Sequence, residues 1–175
     1  MAFPFRRKDA IHPTAKNCRD FLLAVLRICH QAVFAEPLAQ EWHDHQSSFA
    51  SHWRVSMMAR KKLLHSLTIP ERPKLRVKIE AIVARPKSRE AILKDVHLLE
   101  AALATDGTIV SLDEEARGIT AAVATRVGEL RSIIWVNPDK ADEQPIPWLE
   151  EGAKPESKRT IGQYPCMLYL PHLST

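Results

Sequence analysis

Cysteine is scarce and scattered: Cys18, Cys29 and Cys166 are the only three in 175 residues. An odd number, widely spaced and without a CxxC pair, offers no disulfide framework and no zinc site, and it fits a reducing cytosol. Cys18 and Cys29 fall in or beside an apolar helical segment and read as small core residues. No run approaches the roughly 18 consecutive apolar residues of a transmembrane helix, so no membrane association is expected. The N-terminal MAFPFRRKDA has charges after a very short apolar stretch and no hydrophobic region behind them, unlike a secretory signal. Also missing are GxGxxG, a phosphate-binding P-loop, HExxH and GxSxG. Nucleotide-cofactor, zinc-protease and serine-hydrolase chemistry therefore have no motif behind them. No internal repeat is found.

What remains is the profile of a globular chain, with 45% hydrophobic and 26% charged residues and enough length for one core. The net charge of +4 and pI near 9.1 are mildly basic. The basic residues gather at Arg6–Lys8, Arg60–Lys62 and Arg72–Lys78. Each cluster is compatible with a polyanion and equally with a solvated surface.

Residues 1–16, with Pro4 and Pro13, read as an irregular arm. Phe21, Leu22, Val25, Leu26 and Cys29 recur at helical spacing and predict a helix over 17–29, capped by Asn17 or Thr14. HQAVFA (30–35) suits a buried strand. From Pro37, the residues Leu38, Trp42, His45, Phe49, Trp53, Met57 and Leu64 make one amphipathic stripe. The stripe predicts a long helix, with room for an interruption, over 37–67. A shorter helix is expected over 75–83, between Pro73 and Pro86, and Ser88 caps the approach to another over 95–104. Asp106–Gly107 is a turn signal. TIVSL (108–112) and SIIWV (132–136) are β-branched apolar runs on either side of a helix over 113–130. Strand–helix–strand order predicts an α/β fold, a parallel sheet flanked by helices on both faces. A domain over 17–138 is expected, followed by a proline- and charge-rich tail over 139–175 that lies partly on it through Ile146, Trp148 and Leu149.

Ligands of such sheets collect beyond the carboxyl ends of the strands. Asp113 stands one residue past TIVSL, at the start of a helix, and Asp95 opens the preceding helix 18 residues earlier. A helix, tight turn and strand of that length return the chain to the same edge, so the two carboxylates can converge there. Converging carboxylates repel unless a divalent cation lies between them, and such an ion acidifies bound water and stabilises charge on a phosphate. Ser111, two residues before Asp113, faces the same side and can orient that water or the phosphate. The competing expectation is ordinary helix capping by both aspartates. His43, Asp44, His45 and His52 include ligand-type residues, but positions i and i+2 of a helix point apart, which leaves a solvated face. Trp42, Trp53 and Trp135 fall on apolar faces and read as core.

KDVHLLEAALATDGTIVSLDEEAR, from Lys94 to Arg117, resembles the C-terminal half of a PIN domain, a family of small α/β metal-dependent ribonucleases. Asp95 before HLLEAAL looks like the third acidic position of that family. Asp113, reached by a hydrophobic strand, Ser111 and one further residue, looks like the fourth. PLAQEW is similar to the segment that carries the second, with Glu41 as its acid. The resemblance covers about 17–138 and implies a cytoplasmic Mg2+- or Mn2+-dependent endoribonuclease. Glu41, Asp95 and Asp113 would hold the metal and Ser111 would assist. RNA would be the substrate. An antitoxin-type protein partner and a homodimer are further implications, since many relatives are toxins. The departure lies at the start. A PIN domain opens with a central strand ending in Asp, whereas MAFPF contains a proline that cannot donate to a ladder. The nearest acid, Asp9, sits in RRKDAIHP. The first strand is therefore read as missing or degenerate. This leaves three expectations: a nuclease or a descendant with reduced activity, a non-catalytic PIN-like binding or interaction module, and an N-terminally truncated inactive form.

Overall fold

The computed structural model describes residues 12–34, 36–64 and 68–165. In chain order the helices are α1 (Pro13–Arg27), α2 (Leu38–His45), α3 (Ser48–Ala59), α4 (Pro73–Ile82), α5 (Pro86–Lys94), α6 (Val96–Ala104), α7 (Glu114–Ala124) and α8 (Pro145–Glu150). The strands are β1 (Ala32–Val33), β2 (Leu63–Leu64), β3 (Thr108–Val110) and β4 (Ile134–Val136). The chain is thus α/β with short parallel strands. It divides into two compact units, Met1–Thr68 with Asn137–Lys154, and Ile69–Val136 with Pro155–Thr175. The expected degenerate first strand and Asp9 lie outside the described residues, as do Cys166 and residues 65–67.

In the first unit α1 begins at Pro13 and not at Asn17, because proline at a helix's first position gives up only an amide that had no partner. Ala15, Cys18, Phe21, Ala24 and Val25 form its buried face. The predicted long helix is two helices. Gln46 is extended, and Ser47 restarts the coil by accepting a bond from the Ala50 amide at 3.1 Å. α3 then stops at three basic residues. Lys61 adopts φ 55°, and the amides of Lys61 and Lys62 return to the carbonyls of Met58 and Met57, both at 2.9 Å. This is a Schellman closure made without glycine. It releases Leu63–Leu64 as a strand beside β1, with Ala32 opposite Leu63 and Val33 opposite Leu64. Those two leucines were expected in a helix, since a two-residue strand shows no period of its own. Phe34 meets Trp42 edge to face and Trp42 meets Trp53 at a tilt, with centroids 5.2 and 5.6 Å apart, and the Trp53 indole donates to the Leu22 carbonyl at 2.7 Å. α8 packs on α1 with Trp148 and Leu149 buried and Ile146, the third residue expected to anchor this stretch, half-buried.

In the second unit β3 and β4 pair in parallel, Thr108 opposite Ile134, Ile109 opposite Trp135 and Val110 opposite Val136. α7 is the crossover between them. Among the described residues the strands thus form two separate pairs, one in each unit, where one sheet was expected. Gly107, at φ 78°, takes the left-handed turn that feeds β3, and Asp106 accepts from the Thr108 amide at 3.0 Å. Ala116, Gly118, Ala121, Ala122 and Ala124 are buried along α7, whose small side chains let neighbours approach closely. Ile79, Val123, Leu130, Ile133 and Trp135 fill the centre of this core. Ile161 joins it from the C-terminal stretch, where the Ile161 amide donates to the Ile133 carbonyl at 2.8 Å. No helix among the described residues is long and apolar enough to cross a membrane.

Candidate functional site

β3 delivers its carboxyl end to a short acidic corner. The Ser111 amide donates to the Val136 carbonyl at 3.1 Å, extending the ladder by one bond beyond the strand. Ser111 is buried, and its Oγ accepts from the Asp113 amide at 3.1 Å. Asp113 is exposed and caps α7, its Oδ1 accepting from the Ala116 amide at 2.8 Å. Asp113, Glu114 and Glu115 together place three acidic side chains at the positive end of the α7 dipole.

Behind this corner lies a network that sequence reasoning missed. The Tyr164 hydroxyl donates to Glu114 Oε2 at 2.9 Å, and the guanidinium of buried Arg117 sits 4.4 Å from the Tyr164 ring centroid. Arg117 also pairs with Glu114 Oε1 at 3.5 Å. A tyrosine fifty residues from its carboxylate partner leaves no local signal.

Asp95 occupies the junction between α5 and α6. Its amide donates to the Ala91 carbonyl at 3.2 Å and its carbonyl accepts from Leu98 at 3.0 Å, but its carboxylate makes no capping bond to α6. Capping therefore describes Asp113 and not Asp95. Glu41 stands half-buried in the first turn of α2, in the first unit, whereas Asp95, Ser111 and Asp113 belong to the second. Ser111 and Asp113 are joined directly. Among the described residues, no group of three or more His, Cys, Asp or Glu side chains is gathered so as to hold a metal ion. His43 and His52 are exposed on α2 and α3, as a solvated helix face requires.

The most buried carboxylate of the second unit is Glu100. Arg76 grips it with two bonds, Nε to Oε1 at 2.9 Å and a terminal nitrogen to Oε2 at 2.7 Å, and the Arg72 amide adds a third at 2.8 Å. Burial pushes the Glu100 pKa up, but the bonds from Arg76 and Arg72 outweigh it and hold the carboxyl below its ordinary value. The pair is a structural brace. In sequence Glu100 is only a glutamate inside HLLEAAL.

The chain matches no family model, no curated protein and no solved structure.

Proposed function

We propose that the chain is a PIN-like protein, descended from metal-dependent endoribonucleases and acting on RNA in the cytoplasm with reduced activity. The observation that supports this most is the acidic corner: an exposed aspartate reached from a parallel strand through a buried serine, within the stretch KDVHLLEAALATDGTIVSLDEEAR. Capping engages one oxygen of the Asp113 carboxylate, and a carboxylate has two. Mg2+ or Mn2+ is the ion that the resemblance implies, with Glu41 and Asp95 as the other donors. The reduced activity rests on the departure at the family's first acidic position, where Asp9 in RRKDAIHP is the nearest acid. Kinship to toxins extends the proposal to a homodimer and an antitoxin-type partner.

A second reading, a non-catalytic PIN-like interaction module, is favoured by the capping role of Asp113, which accounts for that carboxylate without a metal. RNA cleavage separates the two. The purified chain is incubated with a labelled single-stranded RNA and Mn2+, beside Asp113→Asn. The substitution is expected to abolish cleavage while changing stability by less than about 1 kcal/mol, because Asn also caps. Cleavage that persists in Asp113→Asn removes the corner as the site. Absence of cleavage by the unsubstituted chain hands the function to the second reading.

A further inference from the structure

Between Arg72 and Lys94 the chain carries eight basic residues and two acidic ones, a local excess larger than the net charge of the whole protein. The structure divides these cations by role. Arg76 is committed to Glu100, and Arg72 pairs with Glu129 at 3.1 Å. Lys74, Lys78, Arg85 and Lys87 are exposed, and among the described residues no ion pair holds any of them. On α4, Leu75 and Ile79 turn inward, which sets Lys74 and Lys78, four residues apart, on one outward stripe. Glu80 falls on the far flank of that helix, about 160° from Lys78 at helical spacing, and does not neutralise the stripe. Val77, 64% exposed, lies beside it. Arg85 and Lys87 continue the positive charge through the turn into α5, which packs on α4.

From this arrangement we infer that the outer side of α4 and the start of α5 bind the phosphodiester backbone of single-stranded RNA through Lys74, Lys78, Arg85 and Lys87. The inference rests on the RNA reading above and supplies the surface that the acidic corner lacks, since carboxylates repel phosphates. Residues 69–94 contain no Phe, Tyr or Trp, so this stretch offers no aromatic platform on which a base can stack. Binding is accordingly electrostatic and indifferent to base sequence. Each phosphate contact to a single strand contributes about 0.7 to the slope of log affinity against log salt, so four contribute about 2.8.

The test measures fluorescence anisotropy of a labelled 20-mer oligouridine with EDTA present, across a salt series. Wild type is compared with K74A/K78A/R85A/K87A and with a charge-matched control, K16A/R126A/K154A/K158A. The first variant is expected to lose at least tenfold in affinity at 0.1 M salt, with a salt slope reduced by two or more, while the control changes less than threefold. A 20-mer of oligoadenosine should bind wild type within threefold of oligouridine. Equal losses in the two variants, or no binding by wild type, overturn the surface, as does binding to anionic phospholipid vesicles with none to RNA. Circular dichroism of both variants establishes that loss does not come from unfolding. Cleavage is scored separately with Mn2+. Binding that depends on the four cations without any cleavage retires the nuclease and keeps the surface. Cleavage unaffected by the four substitutions does the reverse.

Discussion

Removing Arg76 should cost more than removing the carboxylate it holds. Glu100 has a side chain only 3% exposed, whereas that of Arg76 is 36% exposed. In Arg76→Met the Glu100 carboxylate stays buried and charged with only the Arg72 amide to satisfy it. Breaking a fully buried pair costs about 3–5 kcal/mol. Solvent already reaches Arg76 and one bond survives, so the expected cost is about 2–3 kcal/mol, the range for hydrogen bonds to a charged group. In a chain of this size that lowers the melting temperature by roughly 5–10 °C. In Glu100→Gln the amide oxygen still accepts from Arg72, and Arg76 keeps a path to water, so about 1 kcal/mol is expected. Thermal unfolding at pH 7, followed by circular dichroism at 222 nm, ranks the two. The pH dependence gives the same test from another side. Because the folded Glu100 pKa lies below its ordinary 4.5, its stabilisation is complete above that value and is lost as pH falls through the folded one. The gap between wild type and Glu100→Gln should therefore close on acidification. If Glu100→Gln proves as damaging as Arg76→Met, or the gap stays constant to pH 3, the brace has been misread.

Asp113→Ala should destabilise by about 1 kcal/mol where Asp113→Asn does not, since only alanine forfeits the cap on Ala116; equal melting temperatures would mean that the bond contributes nothing. Burial, with the nearby Asp139 charge adding to it, pushes the Cys18 thiol up to about 11, while Cys29 is exposed. Iodoacetamide at pH 8 should label Cys29 and spare Cys18 in the native chain, read by mass spectrometry of the peptides, and prompt labelling of Cys18 would refute its placement. Lys62 donates to the carbonyls of Val25, Leu26 and Ile28 at the end of α1. Lys62→Met should lower stability by about 1–3 kcal/mol and speed amide exchange at the end of α1, and an unchanged melt would remove the lysine from that role.

The parts of the fold that could be read from the sequence are those whose signal is local. TIVSL and SIIWV are apolar runs fenced by Asp106–Gly107 and Asn137–Pro138, and Thr108–Val110 and Ile134–Val136 within them are strands. Ser111 and Asp113 are two residues apart, so their relation to the strand end and to the helix that follows is set by backbone geometry alone. Reading failed where an irregularity borrows an unusual residue. Lysine stands in the left-handed position that glycine would mark, and Ser47 interrupts a stripe whose apolar spacing runs on across the gap. It failed as well wherever one charge answers another at a distance. Arg76 and Glu100 are 24 residues apart, Tyr164 and Glu114 are 50, and neither pair leaves a periodic trace. The same limit governs the candidate site. A carboxylate at a strand's end can be found from its neighbours, but whether it meets a second and a third is a property of the whole chain. Asp95, in the same unit as Asp113, makes no capping bond, and Glu41 belongs to a different compact unit. The acidic corner is thus a local fact with a non-local requirement. The basic stretch from Arg72 to Lys94 differs in kind: a polyanion is attracted by summed charge, which needs no convergence of side chains to a point.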